Sequence, residues 1–234
     1  MKLIPVKKPG IFFTKLDPSL HQQIMELEAK IFTSQIDLNI AMGMTPEYRK
    51  QLGSLKQERG IGLSYDHSFC AVDQENGKVV AAGYNAVFDA NHAELPKIPI
   101  TKESKPHEKL ARFHHDLDIK WVEYFNRTGL EPNPAEFISF LVGFTTDEYA
   151  GQGIFGSFFQ LCLESLSEMG FEHGFALVTS DAMKHLTVKK FGFEIIETIY
   201  LRDIELDGIR VCEDYLSKNP DKIDSYVTLA YKKF

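Results

Sequence analysis

The feature that most constrains the fold is a near-continuous apolar run, Phe137-Ile-Ser-Phe-Leu-Val-Gly-Phe144, followed closely by Gly151-Gln-Gly153-Ile-Phe-Gly156. A strand that is apolar at successive positions is buried on both faces, so it belongs inside a sheet covered by helices on each side. The glycines let backbone approach a ligand, and the helix predicted from about Ile154 to Met169 opens with N–H groups that have no intrahelical partner. Those donors, together with the positive end of the helix dipole, suit a pyrophosphate. A glycine turn that binds nothing is the other reading of this pattern taken alone.

The rest of the chain surrounds this unit with further elements. Ile11-Phe-Phe-Thr14 reads as a strand, and Asp17-Pro18 as a helix start before the amphipathic spacing of Leu20, Ile24, Leu27 and Ile31. Thr45-Pro46 opens a second helix carrying Tyr48, Leu52 and Leu55. Asn76-Gly77 joins two strands, His67–Val72 and Lys78–Phe88, in a hairpin. The proline-punctuated segment from Asp89 to Pro106 reads as a surface excursion, followed by a helix over His107–Arg127. After the glycine turn the pattern predicts a strand at Gly174–Thr179 and a helix at Ala182–Lys190. Two closing strands follow, at Glu194–Ile204 and Tyr226–Tyr231. This order implies one mixed α/β sheet flanked by helices, in a single domain over residues 1–234.

Composition narrows the function. The 26 Lys plus Arg and 33 Asp plus Glu give a formal net charge of −7, which argues against nucleic acid as a partner. A local anion site is still allowed, because it needs only a few backbone amides. No run is long and apolar enough to span a bilayer, and the first five residues lack the apolar stretch of a signal peptide. Cys70, Cys162 and Cys212 show no paired spacing. The expectation is a soluble cytoplasmic protein with reduced thiols, monomeric or homodimeric, without a membrane partner and acting on a small molecule.

Gly151 to Gly156 also spell the Gly-x-Gly-x-x-Gly of a dinucleotide-binding Rossmann fold. That fingerprint normally follows the first strand of its domain, whereas here a hairpin and three helices precede it. About eighty residues follow Gly151, too few for the remaining βαβ units.

The same residues carry a closer resemblance. Tyr149-Ala-Gly-Gln-Gly-Ile154 resembles the acetyl-CoA loop of the GNAT superfamily of N-acetyltransferases, in which Arg or Gln leads into Gly-x-Gly-x-Gly or Ala. Val188-Lys-Lys-Phe-Gly-Phe193 is similar to that superfamily's Tyr-x-Lys-x-Gly-Phe signature. Within it, Tyr200–Ile209 and Ser225–Lys233 resemble the invertebrate arylalkylamine N-acetyltransferases. So does Ile31–Asn39, where those enzymes carry Phe-x-x-Glu-Pro-Leu-Asn. The resemblance spans most of the chain except the excursion at 89–106. It implies a twisted, mostly antiparallel sheet in which two parallel strands splay apart to admit acetyl-CoA.

The resemblance also assigns roles. Backbone groups of Gly143, Phe144 and Thr145 would hold the pantetheine arm and polarise the thioester carbonyl. Amides of Ala150, Gly151, Gln152, Gly153, Ile154, Phe155 and Gly156 would hold the pyrophosphate. Asp181 falls where the family often places an asparagine that contacts the cofactor or the leaving thiol. Ser180 matches one of two serines that the arylalkylamine enzymes carry at this point, and Lys184 falls at the second; both are candidates to touch the substrate.

Several positions depart from the pattern. Ala150 replaces Arg or Gln, and Phe155 replaces Gly or Ala, so its ring must point away from the phosphates. Val188 replaces the tyrosine that protonates the departing thiolate. Gln35-Ile36 replaces the Glu-Pro whose carboxylate is the usual base, leaving Asp37 and, less favoured, Glu28 as the nearest carboxylates. Each of these also reads as an ordinary solvated side chain.

His114-His115 with Asp118 has no fourth ligand, so it reads as a solvated polar face rather than a metal site. Phe113, Trp121, Tyr124 and Phe125 at helical spacing, and Phe137, Phe140 and Phe144 at strand spacing, read as core. The expected activity is acetyl transfer from acetyl-CoA to a small primary amine, with arylalkylamines as candidates and no metal. The alternatives are transfer to a protein or amino-acid amine, and a silent acyl-CoA-binding module.

Overall fold

The computed structural model describes residues 4–5, 8–58 and 64–234. Strands β1 (Ile4–Pro5) and β2 (Ile11–Lys15) open the chain. Asp17 then accepts a hydrogen bond from the Ser19 amide at 2.8 Å and starts a 3-10 turn that leads into α1 (His21–Gln35). A short α2 (Asp37–Ala41) and α3 (Pro46–Glu58) follow. The Asn76-Gly77 hairpin joins β3 (Phe69–Asp73) to β4 (Val79–Val87). Helix α4 (Pro106–Thr128) then leads to β5 (Phe137–Thr145), α5 (Ile154–Glu168) and β6 (His173–Val178). Helix α6 (Asp181–Lys184) continues as a π-helical stretch, His185–Lys190. The chain closes with β7 (Glu194–Tyr200), a small hairpin of β8 (Glu205–Leu206) and β9 (Ile209–Arg210), α7 (Glu213–Lys218) and β10 (Tyr226–Lys233).

Eight strands form one sheet in the order β1-β2-β3-β4-β5-β6-β10-β7, and every neighbouring pair is antiparallel except β5 with β6. Alternation along β5 sends Phe137 to one side and Ile138 to the other. On the first side α4 packs Trp121 and Phe125 against Phe137 and Phe175, with Phe125 fully buried. On the second, α5 packs Phe158, Phe159 and Leu166 against Phe13, Phe69 and Ile138. Burying each such ring contributes about 1.5–3 kcal/mol, enough to fix both helices rigidly against the strands between them.

The parallel ladder is short. It pairs Phe137 with His173, Ile138 with Gly174, Ser139 with Phe175 and Phe140 with Ala176, then stops. Beyond that point each strand pairs only with its outer neighbour: Val142 to Thr145 with β4, and Leu177 and Val178 with β10. The register between β4 and β5 slips at this place, leaving Leu141 as an extra residue opposite Tyr84 and Asn85. A bulge bends its strand and increases twist, and here it turns β5 away from β6. The expected splay of two parallel strands is therefore present.

Several boundaries differ from the sequence expectation. The strand expected through Ile204 ends at Tyr200, because the chain turns through a 3-10 segment into the β8–β9 hairpin, where Asp207 takes a positive φ of 50°. The helix expected over Ala182–Lys190 changes to π geometry from His185. The excursion at 89–106 holds a 3-10 turn at Ala90–Glu94 and is pinned by Arg112 on α4. That guanidinium donates to the Ile98 carbonyl and the Asp207 carboxylate, each at 2.9 Å. All three cysteines are free and buried. Among the described residues no helix is long and apolar enough to cross a membrane.

Candidate active site

The gap between β5 and β6 opens into a cavity whose lining comes from both faces of the sheet. One end is lined by Val142 and Gly143 of β5, Thr179 beyond β6, Phe155 and Phe159 of α5, and Met183 of α6. The other end is lined by α1 to α4 through Phe32, Asn39, Arg49, Lys56, His114 and Asp118.

At the first end, Gly151 and Gly153 take left-handed φ angles of 71° and 73°, a conformation that costs glycine little. Gly153 is the N-cap of α5 and supplies no side-chain acceptor, so the first-turn amides of that helix keep their donors for a ligand. The amide of Ala150 is different, because it donates to the Asp147 carbonyl at 3.1 Å and is committed to the turn. Ala150 was expected among the cradle amides; its hydrogen bond removes it. The buried Tyr149 anchors the loop by donating to Asp73 at 2.6 Å. Gln152 is turned back, donating to the Glu148 carbonyl at 3.0 Å.

Phe155, the bulky departure in this loop, turns its ring onto β5. A Cβ built at Gly143 would lie 2.9 Å from its Cζ, and the ring stacks on Phe159 with centroids 5.9 Å apart. Gly143, Phe144 and Thr145 lie past the last β5–β6 pair, and the Thr145 hydroxyl is buried without a hydrogen-bond partner. A cation that the motif reading passed over also stands here: a Cβ on Gly156 would lie 3.1 Å from Lys190 Nζ. An ammonium beside the first turn of α5 reinforces the anion site. The sequence signal for this cation is the Lys189-Lys190 pair within Val188–Phe193.

At the second end, His114, Leu117, Asp118 and Trp121 recur at helical spacing along α4 and all line the cavity. His114 Nδ1 is buried without a hydrogen-bond partner. Burial, then the Lys56 and Arg49 charges, hold its pKa well below the ordinary histidine value, so the imidazole is neutral. Lys56 is pushed down to about 8 by burial and by Arg49, with Asp118 and Glu28 opposing. Asn39, 3% exposed, lines the same space with an unpartnered Oδ1. The expectation that His114 and Asp118 form a solvated face fails because α4 turns this stripe toward the sheet.

The carboxylates singled out in the sequence lie elsewhere. Glu28 is buried and accepts from Arg49 through both Nε, at 2.8 Å, and Nη2. It lines a second, adjoining cavity with Arg49, Lys56, Tyr65, Tyr84 and Val142. Asp37 lines neither cavity. It accepts from Ser225 at 2.8 Å, from Lys222 at 3.2 Å and from Tyr215 at 3.3 Å, tying α2 to the segment between α7 and β10. Gln35 donates to Asp147 at 2.7 Å, bracing the end of α1 against the loop before the glycines. Beyond β6, Ser180 accepts from the Met183 amide at 3.3 Å and caps α6. Asp181 accepts from Tyr226, whose pKa is pushed up to about 12 by that bond, and Lys184 Nζ lies 4.3 Å above the Tyr226 ring.

No protein-family model matches the chain, and no curated protein sequence does. Solved structures match over nearly its full length. The C-terminal condensation domain of Ebony in complex with beta-alanyl-dopamine has a TM-score of 0.71 at 15% identity, covering 98% of this chain and 100% of that one. Drosophila melanogaster polyamine N-acetyltransferase, which forms N-acetylagmatine, scores 0.69 at 15% identity over 96% and 100%. Arylalkylamine N-acetyltransferase 2 from Aedes aegypti scores 0.68 at 14% identity over 95% and 98%. The fold of this chain is that of the GNAT N-acetyltransferases.

Proposed function

We propose that the protein transfers an acetyl group from acetyl-CoA to a small primary amine. The observation that carries this reading is the end of the parallel ladder at Phe140 and Ala176, directly beside the uncapped, glycine-led start of α5. The unpaired edges of β5 and β6 offer backbone groups to a pantetheine arm. The first turn of α5, with Lys190 beside it, suits the pyrophosphate.

The amine nitrogen attacks the thioester carbon, an N–C bond forms, and the C–S bond breaks to release the thiolate of CoA. Backbone N–H groups of the Gly143–Thr145 segment face the carbonyl oxygen as it gains charge. One proton leaves the nitrogen and one returns to the departing sulfur. His114 takes the first, being neutral and set in the same cavity as the slot. Leu38, Leu117 and Trp121 give the acceptor end an apolar wall, which favours an amine with an aryl or alkyl body. Alignment of amine and thioester in one cavity supplies much of the acceleration.

Calorimetric titration with acetyl-CoA tests the donor half. Wild type should bind, and Gly153→Glu, which sets bulk and negative charge at the helix start, should lose most of that affinity. Equal affinity in a folded Gly153→Glu protein would place the donor elsewhere.

A further inference from the structure

We infer that the acceptor amine carries a carboxylate, as an amino acid does, and that Lys56 binds that carboxylate while Asn39 positions the nitrogen. This rests on the transfer reading above and adds the class of acceptor to it.

The walls of the acceptor chamber are unequal in what they have already paired. Arg49 and Glu28 satisfy one another through two hydrogen bonds to Glu28 Oε1. Lys56 lines both the chamber and the adjoining cavity, and among the described residues it has no carboxylate within salt-bridge distance. An ammonium held partly out of water beside a second cation is costly unless an anion joins it. Asp118 of α4, lining the same chamber, and Glu28 attract the Lys56 ammonium through space and offset part of that cost. Asn39 contributes a buried carbonyl oxygen that accepts nothing within the protein. A buried acceptor without a donor lacks about one hydrogen bond, and an amine N–H supplies it.

A lysine with no ion pair among the described residues and a buried open acceptor, lining one chamber, are the complement of a carboxylate and an amine N–H on one molecule. A plain amine would answer Asn39 and leave Lys56 with the through-space attraction of Asp118 and Glu28 in place of a direct ion pair. Leu38, Leu117 and Trp121 of the same lining offer an apolar surface to an uncharged side chain. The chemistry recognised is therefore an amine and a carboxylate on one small molecule with an uncharged side chain.

The experiment uses two matched pairs of acceptors, tyrosine with tyramine and phenylalanine with phenethylamine, each with saturating acetyl-CoA. Rates are compared at equal concentrations of the neutral amine. Wild type should prefer the carboxylated member of each pair by about tenfold or more, the size of one charge-assisted contact. Lys56→Met should collapse that ratio, Lys56→Arg should largely keep it, and Asn39→Leu should lower both members of a pair alike. Circular dichroism melting confirms that each variant is folded. Preference for the plain amines in wild type, or a ratio unmoved by Lys56→Met, would overturn the carboxylate inference and leave acetyl transfer standing. Failure of every acceptor to release thiol, with acetyl-CoA still bound, would instead overturn the transfer on which the inference rests.

Discussion

The ring of Phe155 lies against the backbone of Gly143, so close that a Cβ added to that glycine would stand 2.9 Å from the ring's Cζ. The contact joins the first turn of α5 to β5 just beyond the place where the parallel ladder ends. It explains how a loop of this kind accommodates a phenylalanine: the ring fills space over the strand instead of crowding the glycine turn.

Gly143→Ala should therefore be destabilising by about 1–3 kcal/mol, the usual cost of overpacking. Removing the ring with Phe155→Ala should abolish most of that cost. A double-mutant cycle on thermal melting should give a coupling of about 0.5–3 kcal/mol. Additive effects would mean that the two groups do not meet.

Asp37 is held by Lys222, Ser225 and Tyr215 outside both cavities. Its ion pair is partly exposed, with side chains 27% and 41% accessible, and such pairs contribute about 0–1 kcal/mol. Asp37→Asn should lower the melting temperature slightly and leave the pH profile of kcat/KM intact. A loss of a hundredfold or more would identify it as the proton acceptor.

Glu28 should behave differently. Glu28→Ala strands the buried Arg49 guanidinium, and breaking a buried pair by removing one partner costs about 3–5 kcal/mol. Urea denaturation should show that loss. Restoring stability by adding Arg49→Met would confirm that the deficit came from the unpaired charge, whereas a fully stable Glu28→Ala protein would contradict the pairing.

Most of the sheet and the donor end were legible in the sequence because their signals are local. The apolar run of β5, the Asn-Gly hairpin and the glycines before α5 each dictate backbone behaviour within a few residues. The acceptor chamber was not legible, because its residues come from α1 to α4 and meet only through packing. His114 is the clearest instance. Its spacing from Leu117 and Trp121 placed it on an apolar stripe, yet beside His115 and Asp118 it looked like part of a wet face. Asp37 shows the converse: nearness in sequence to Gln35 does not fix which side of α2 faces the cleft, and Asp37 lines neither cavity. The β8–β9 hairpin and α7 were missed because segments so short carry no periodicity.

His114 gives the pH dependence a definite sign. Burial, Lys56 and Arg49 hold its pKa well below 6.5, and Glu28 and Asp118 are the acids in the surrounding walls. A proton acceptor works only when deprotonated, so kcat/KM should lose its His114-dependent part only as pH falls through that lowered value, below about 6.5. His114→Ala should cost on the order of a hundredfold and remove that acid limb. Stability follows the same direction. The unfolded chain binds the proton first, so the contribution is full above about pH 6.5 and is lost as pH falls through the folded value. A profile unchanged in His114→Ala would assign the proton to solvent.

Acetyl transfer is tested most directly by following free thiol while the protein is incubated with acetyl-CoA and a panel of small amines and amino acids, with the product identified by mass. We predict thiol release that depends on the amine, matches the acetylated product mole for mole, and is lost in Gly153→Glu. A folded protein that binds acetyl-CoA but releases no thiol with any acceptor would contradict transfer and leave a silent acyl-CoA-binding module.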